Sequence, residues 1–250
     1  MDGRRWRAIA IGGLALAGVA LPLTGQQWSW PERSENLQQL PADFPGERLR
    51  AVMTGFTRAL GVRCAHCHVG DEGQPLSSFD FASDDKVEKR TAREMLALLG
   101  SVNSHLQRIE PTGEAVNMWC HTCHRGRARP QTLAEALLET YRADGVEAAV
   151  AEYGELRAGY YGRGTFDFSE SSLNGIGYTL LREGDTPGAV AIFRLNAEQF
   201  PASANVWDSL AEAYMTAGSR ELARISYRKS LELDPTNQNA LERLAELGGG

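Results

Sequence analysis

All four cysteines of this 250-residue chain lie in two copies of one five-residue pattern. The copies read CAHCH at residues 64–68 and CHTCH at residues 120–124, so both follow the formula C-x-x-C-H. From the numbers of Cys and His in the chain, one such pattern is expected by chance in about one sequence in a thousand. Two independent copies therefore indicate that the fold must bring two thiols and an imidazole together at two places.

C-x-x-C-H is the attachment signature of c-type haem. The two thiols add to the vinyl groups of the haem, and the adjacent His supplies an axial nitrogen to the iron. We therefore predict two covalently attached haem c groups, each with its iron. The predicted attachment residues are Cys64, Cys67 and His68 for the first haem and Cys120, Cys123 and His124 for the second.

Three other kinds of site use closely spaced cysteines. Two C-x-x-C pairs can form a four-cysteine zinc site, although zinc does not need a His directly after each second Cys. A thioredoxin-like motif needs a single C-x-x-C in a βαβ unit, whereas the flanking segments here are helical and charged. In an exported chain the four cysteines could instead form two disulfides. The repeated His favours haem.

Haem is attached to such motifs outside the cytoplasm, so we expect an export signal at the N-terminus. Three of the first seven residues are arginines. The apolar run 8–23 that follows has the length of a signal peptide and is shorter than the ~20 residues of a membrane span. Residues 1–25 are therefore predicted to be a signal peptide, with an N-terminal anchor as the alternative. We expect a periplasmic or otherwise exported protein, with membrane contact only if this segment is retained.

The composition excludes one class of partner. The formal net charge is −6, and it becomes more negative once the N-terminal arginines are removed and haem propionates are added. A nucleic-acid partner needs a basic surface. We therefore expect no nucleic acid.

The segments before the two motifs read as helices. Residues 26–46 contain three prolines and are predicted to be a linker. From Glu47 apolar residues recur at helical spacing until Gly61, just before the first motif. After that motif Ser83 is a favourable N-cap for a second helix, which should reach about Ile109.

The last third of the chain repeats with a period of 34 residues. Large, small, Gly, Ala, aromatic and Pro residues recur in the same order. They are Leu173, Gly177, Gly184, Ala189, Phe193 and Pro201, followed by Trp207, Ala211, Gly218, Ala223, Tyr227 and Pro235. This period resembles the tetratricopeptide repeat (TPR), in which helix pairs stack into a solenoid. We predict a helical pair and connector over residues 131–170, and TPR repeats with a capping helix over residues 171–250; a generic helical bundle is the alternative.

Residues 47–130 resemble part of the cytochrome c subunit of photosynthetic reaction centres. The resemblance rests on a helix with Met53, then ALGVRCAHCH, an intervening helix and CHTCHRGRARP. That family binds four haems in two pairs, and the chain resembles the second pair only. The other pair and a lipidated N-terminal Cys are missing, and the repeats are added. Together with the repeats, the resemblance implies an all-α fold, a small dihaem c-type cytochrome domain followed by a TPR helical solenoid.

The resemblance also implies sixth ligands for the irons, because in that family the helix before a motif supplies one. By this resemblance Met53 is the sixth ligand of the first haem. For the second haem the family's distal His lies in the missing half, so the resemblance points first to Met95 on the intervening helix. His105, the one histidine outside the motifs, is the second candidate. The third possibility is an iron without a sixth ligand, in which case Met95 would be an ordinary residue of the helix core.

Three functions are compatible with these features. The first is transfer of single electrons between redox partners, with a protein docked on the TPR surface; the resemblance adds re-reduction of a photo-oxidised donor as a variant. His/Met ligation would leave no iron site for a substrate, so we expect an electron carrier without catalytic residues. The second is a dihaem peroxidase-like enzyme with one open iron and distal acid-base residues. The third is a haem-based sensor or scaffold.

Two further expectations concern the region after the second motif. Three arginines there are expected to pair with haem propionates or form a partner patch, the alternative being a solvated basic turn. They are Arg125, Arg127 and Arg129. The segment 132–250 contains no Cys or His, so we expect it to take no part in the redox chemistry.

Overall fold

The computed structural model describes residues 28–109 and 116–248. Within these ranges the predicted all-α fold class is confirmed, since the regular elements are eleven α-helices and one 3-10 turn, Leu76–Ser78. The helices are α1 (Gly46–Leu60), α2 (Cys64–Cys67), α3 (Val87–Leu106), α4 (Cys120–His124), α5 (Leu133–Asp144), α6 (Val146–Tyr160), α7 (Glu170–Arg182), α8 (Thr186–Gln199), α9 (Ala204–Thr216), α10 (Arg220–Leu233) and α11 (Gln238–Glu246).

The predicted signal peptide, residues 1–25, lies outside the described residues. Among the helices of residues 28–109 and 116–248, none is long and apolar enough to cross a membrane.

The helix before the first motif ends where the sequence predicts. Gly61 adopts a left-handed conformation with φ of 67°, and its amide donates to the carbonyl of Thr57. Glycine is the residue that adopts this conformation at little cost. Its lack of a side chain has a second use, because a Cβ at Gly61 would overlap the carbonyl oxygen of Gly126. The end of α1 is thereby pressed against the loop that follows the second motif.

The predicted start of the next helix was wrong, because α3 begins at Val87 rather than after Ser83. The Ser83 hydroxyl accepts from the amide of Asp85 (3.1 Å) and so closes a local turn instead of capping a helix. Asp84 reaches forward to Arg93 (2.7 Å) and Lys89 (3.1 Å). These ion pairs hold residues 82–86 in a non-helical conformation against the first turns of α3.

The predicted linker packs against this same region. We call residues 28–45 the N-terminal strap; it contains no helix. The ring of Trp28 lies 5.5 Å from that of Phe81. The amide of Asn36 donates to the carboxylate of Asp84 (2.9 Å), and the guanidinium of Arg93 donates to the carbonyl of Asn36 (3.1 Å). The strap is therefore tied to the start of α3 by charged and aromatic contacts.

The C-terminal half is a stack of antiparallel helix pairs. Helices α5 and α6, α7 and α8, and α9 and α10 pack as pairs, and α11 packs on α10. Successive pairs contact one another through α5 and α7, α6 and α8, and α8 and α9. One continuous core runs from Leu133 to Ala213, and a smaller one follows between Ala211 and Leu247. The helical pair predicted within residues 131–170 thus packs on the first repeat and shares its core.

The aromatic and small residues that recur every 34 positions within the helices pack the helices together, whereas the recurring Gly184, Gly218, Pro201 and Pro235 are exposed. Phe193 and Tyr227, the aromatic members, are fully buried, as are Ala189 and Ala223. No side chain fits at Gly177, because a Cβ there would lie 2.6 Å from the ring of Phe193. The period is therefore a packing pattern, as in stacked repeats generally.

Gly177→Ala should lower the free energy of unfolding of this stack by about 1–3 kcal/mol, the usual cost of overpacking a closed core. Gly175→Ala is the matched control on the same helix, because no atom lies within 4 Å of the position that its methyl group would take. That substitution should stabilise by about 0.5–1 kcal/mol through helix propensity. Urea unfolding of the full chain, followed by far-UV circular dichroism, measures both. Equal effects of the two substitutions would contradict this packing.

The strap should loosen at acidic pH. Arg93 and Asn36 donate to Asp84 and hold the pKa of its carboxyl well below the usual range. A carboxyl with a lowered pKa contributes stability above its ordinary pKa of about 3.9, and that contribution is lost as the pH falls below it. The hydrogen-exchange protection factor of residues 28–38, which compares the observed rate with the intrinsic rate at the same pH, should therefore fall below about pH 4 in the wild-type chain. In Asp84→Asn this protection factor should be low already at neutral pH and should change little in acid.

Candidate haem centres

The first motif forms a single helical turn. Helix α2 contains both thiols, and the amide of His68, which follows it, donates to the carbonyl of Cys64 (3.0 Å). Both cysteines are free and half-buried. Burial, and then the negative charge of Glu88, raises the pKa of the Cys67 thiol. One turn of helix thus places two thiols and an imidazole within five residues.

The imidazole of His68 has the features of a metal ligand. Its Nδ1 is buried and has no hydrogen-bond partner, and its ring meets Phe81 edge-on at 4.9 Å. Burial, assisted by the positive charge of Lys89, lowers the pKa of His68. The ring is therefore neutral at pH 7, which is the form that binds metals. An orphaned buried nitrogen costs about 1–3 kcal/mol and marks a position where a partner belongs.

The second motif is built around a tight turn. Helix α4 ends at His124, and the next two residues are both left-handed, Arg125 with φ of 49° and Gly126 with φ of 89°. The turn brings the carbonyl of Arg127 back to the His124 ring, where it accepts from Nδ1 at 2.9 Å. With the proton on Nδ1, Nε2 carries a lone pair and is free to bind iron. This backbone contact fixes both the tautomer and the direction of the ring.

Each motif is contacted by the helix that belongs to the other one. Helix α1 packs on α4, and α3 packs on α2. In the first contact Phe56 stacks on Trp119 with centroids 6.0 Å apart, and the amide of Gly126 donates to the carbonyl of Ala59 (2.8 Å). In the second, the ammonium of Lys86 donates to the carbonyl of Ala65. The two motifs and their helices therefore interlock.

Asn103 joins α3 to the second motif and was not identified from the sequence. Its side chain donates to the carbonyl of Met118 (2.9 Å) and accepts from the Met118 amide (2.7 Å). It thereby fixes the chain two residues before Cys120. The available signal was an amide residue beside the apolar face of a predicted helix.

The structure places the three candidate sixth ligands on α1 and α3. Met53 is half-buried on α1, and Met95 is 45% exposed on α3. Met53 lies eight residues before Gly61, which contacts the loop after the second motif. Met95 lies eight residues before Asn103, which contacts the chain just before that motif. His105 is exposed, and its Nδ1 lies 2.9 Å from a guanidinium nitrogen of Arg108.

The apolar residues of this half of the molecule fit a flat hydrophobic group. Helix α3 is 20 residues long and buries none of them, although one of its faces is apolar. Met95 and Leu98 on that face are 45% and 55% exposed. Among the described residues before Leu133, the buried apolar side chains are Leu49 and Ala59. A haem between the helices would supply the missing interior, so the residues present fit the group.

The three arginines after the second motif contact the helical stack. The guanidinium of Arg127 lies 5.0 Å from the ring centroid of Phe166 and 5.8 Å from that of Tyr160. Arg125 donates to the carbonyl of Gly164 (3.3 Å). Arg129 pairs with Glu139 at 2.8 Å in an exposed ion pair. All three therefore have partners within the chain.

The two motifs do not converge on one metal site. Throughout the part of the chain that the structure describes, no three His, Cys, Asp or Glu side chains are close enough together to hold a metal ion. The four cysteines therefore do not form the single four-sulfur cluster that a shared zinc site needs.

Comparison with known proteins gives two family matches. Residues 35–152 match the family described as photosynthetic reaction centre cytochrome C subunit, and residues 204–247 match the tetratricopeptide repeat. The first match begins inside the N-terminal strap and extends into α6. Among curated proteins, the photosynthetic reaction center cytochrome c subunit of Rubrivivax gelatinosus is 31% identical over 93 residues, which is 34% of this chain and 24% of that protein. The chain thus spans about a quarter of the length of this relative.

Among solved structures, one match is the first TPR of Spaghetti (RPAP3) bound to the HSP90 peptide SRMEEVD. It aligns with a TM-score of 0.33 at 17% identity, over 46% of this chain and 87% of that chain. The resemblance inferred from the sequence is confirmed by the family matches: this chain is similar to the photosynthetic reaction centre cytochrome c subunit family over residues 35–152 and carries a tetratricopeptide repeat over residues 204–247.

Proposed function

We propose that the chain is an exported dihaem c-type cytochrome that passes single electrons between redox partners, with its helical repeats docking a protein partner. The observation that carries the proposal is the contact between His124 Nδ1 and the Arg127 carbonyl (2.9 Å). It occupies Nδ1 and leaves Nε2 for a metal, in a ring that follows two free thiols in the chain, and these are the groups that a covalently attached haem needs. When bound, haem supplies a one-electron iron couple.

The attachment residues form two sets with the same chemistry. Cys64 and Cys67 would hold the first haem and Cys120 and Cys123 the second, while His68 and His124 would bind the irons. The Nδ1 of His68 is buried without a hydrogen-bond partner, whereas the Nδ1 of His124 is bonded to the Arg127 carbonyl, which leaves its Nε2 for the iron. Arg127 keeps a buried Nη1 without a hydrogen-bond partner, which suits a haem propionate.

The interlocking of helices and motifs supports methionine as the sixth ligand at both irons. Helix α1 packs on α4, and α3 packs on α2, so both candidate methionines lie on helices that contact a motif. Met53 on α1 would hold the first iron and Met95 on α3 the second. His105 contacts Arg108 instead. Thioether ligation raises the potential of a c-type haem and closes the iron to substrates, which favours electron transfer.

Re-reduction of a photo-oxidised donor is the second candidate function, because the family match names reaction-centre cytochrome subunits. The cytochrome family indicates an electron carrier rather than an enzyme. A peroxidase-like reaction would require an iron without a sixth ligand. Spectra of the reduced protein with and without carbon monoxide distinguish an electron carrier from a peroxidase-like enzyme, since carbon monoxide binds only an open or weakly ligated iron.

The location and the partners follow from the same chemistry. Covalent haem attachment favours a periplasmic or otherwise exported protein, with membrane contact only if residues 1–25 are retained. The redox partner is a protein, and the repeat stack offers it a surface of paired helices. The net charge of −6 makes nucleic acid an unsuitable partner.

Protein matured in the periplasm should contain two covalent haems per chain. Cys64→Ala with Cys67→Ala should leave one haem, and Cys120→Ala with Cys123→Ala should leave the other. Pyridine haemochrome absorbance per mole of protein and intact mass measure the count. Stoichiometric zinc without haem, or a pair of disulfides, would contradict the proposal.

Met53→Ala should open the first iron and Met95→Ala the second, because each removes the thioether of one haem. Each variant should bind one equivalent of carbon monoxide and show a lower potential for one haem only. Met215→Ala, in the repeats, is the matched control and should change neither haem. If His105→Ala opened the second iron and Met95→Ala did not, the ligand would be the histidine. Carbon monoxide binding by the wild-type chain would favour the peroxidase-like alternative.

A further inference from the structure

We propose that the loop between α6 and α7 positions the second haem's histidine, so that the helical stack is part of this redox centre. We call Tyr160, Gly164, Thr165 and Phe166 the latch. The proposal rests on the function proposed above, in which His124 binds haem iron. It departs from the expectation that residues 132–250 take no part in the redox chemistry.

The first step is that His124 depends on the position of Arg127. The contact that orients the ring is made to a backbone carbonyl at 2.9 Å, so it survives only while the turn through residues 125–126 keeps its shape. Arg125 is a non-glycine residue in the left-handed region, a conformation that costs about 1 kcal/mol and persists only where surrounding contacts hold it. The turn therefore needs support from outside.

The second step is that the latch supplies this support from two sides. The Arg127 guanidinium lies over the rings of Phe166 and Tyr160, at 5.0 and 5.8 Å from their centroids, within the range of cation–π attraction. The hydroxyl of Thr165 donates to the carbonyl of Arg125 at 2.7 Å. The latch therefore holds the side chain of Arg127 and the backbone of Arg125 at the same time.

The third step is that the latch is rigid. Phe166 is 8% exposed and belongs to the main core of the helical stack. Its ring meets Tyr160 edge-on at 5.5 Å and Phe168 at 5.9 Å, and Phe168 in turn meets Tyr153 on α6 at 5.9 Å. Movement of the latch would have to disturb this core. The stack therefore offers the motif a fixed support, which a flexible surface loop could not give.

Two variants of the full chain test the latch. Arg127→Met keeps the carbonyl and the bulk of the side chain but removes the guanidinium, and Thr165→Val removes the hydroxyl at nearly constant volume. The control is Arg142→Met in the same module, because Arg142 pairs with Glu183 at 2.8 Å in an exposed ion pair that involves neither the latch nor the second motif. Far-UV circular dichroism and the urea midpoint establish that each variant is folded.

The first measurement uses the full chain as purified, and it reads the backbone of the turn rather than the iron. Hydrogen exchange of residues 120–127 should be about five- to tenfold faster in Arg127→Met, and faster in Thr165→Val, while Arg142→Met should match the wild type. Arg127→Lys should restore part of the protection, since it retains the cation. Unchanged exchange in both latch variants would overturn the proposal.

The second measurement uses the haem-loaded chain and reports the ligand itself. In Thr165→Val, which leaves the Arg127 guanidinium unchanged, the low-spin resonance and the potential of the second haem should change, while those of the first haem stay as in the wild type. Equal changes at both haems, or none at either, would overturn the proposal. If the wild-type chain binds no haem, the proposed function fails, and the exchange measurement still decides whether the latch holds the turn.

Discussion

The constraint on which the first half of the chain, residues 28–130, depends is that its side chains bury little apolar surface against one another. Helix α3 has 20 residues and no fully buried side chain, so it gains little from burial of apolar surface, which is the main force that drives folding. Exposed apolar residues on that helix, such as Met95 and Leu98, form an uncovered face. The half is held instead by hydrogen bonds, ion pairs and ring contacts at its edges. The haem that its motifs call for would provide the interior that the side chains lack.

The edges are tied by a small number of polar side chains with several contacts each. Lys89 donates to the carbonyls of three consecutive residues, Phe81, Ala82 and Ser83, at 2.7 to 3.0 Å, and pairs with Asp84. The side chains of Lys89 and Arg93 are only 11% and 12% exposed, and partly buried ion pairs are less screened by salt than exposed ones. This network keeps Phe81 in place against His68, so the N-terminal strap contributes indirectly to the first motif.

The helical stack is stabilised differently, and that difference explains its role beside the second motif. Its helices bury complete aromatic and aliphatic side chains between them, including Phe193, Ile192 and Leu173. Because this core is closed without a cofactor, it can act as a rigid support for a neighbour that has no core of its own. The contacts of Arg125 and Arg127 with the α6–α7 loop connect the two halves. The family match, residues 35–152, ends within α6 and so stops before this loop.

The sequence by itself determined the all-α class, the two C-x-x-C-H motifs and the 34-residue repeat. Each of these depends on local chemistry or on spacing along the chain: five consecutive residues for a motif, helical periodicity that ends at Gly61, and small residues facing aromatic ones in each repeat. The assignments of haem number and of Met53 and Met95 stay predictions, since they concern a bound group and its ligands.

Only the tertiary structure decided how these parts meet. Helix α3 begins later than the sequence predicts, because Asp84 pairs with Arg93 and with the strap residue Asn36, which lies 48 residues away in the sequence. The pairing of α1 with α4, the bridge from Asn103 to Met118 and the support of Arg127 by Phe166 also join residues far apart in the chain. Such contacts form because exposed apolar faces and unpaired polar groups must be covered by something, and sequence spacing does not specify which distant segment will do so.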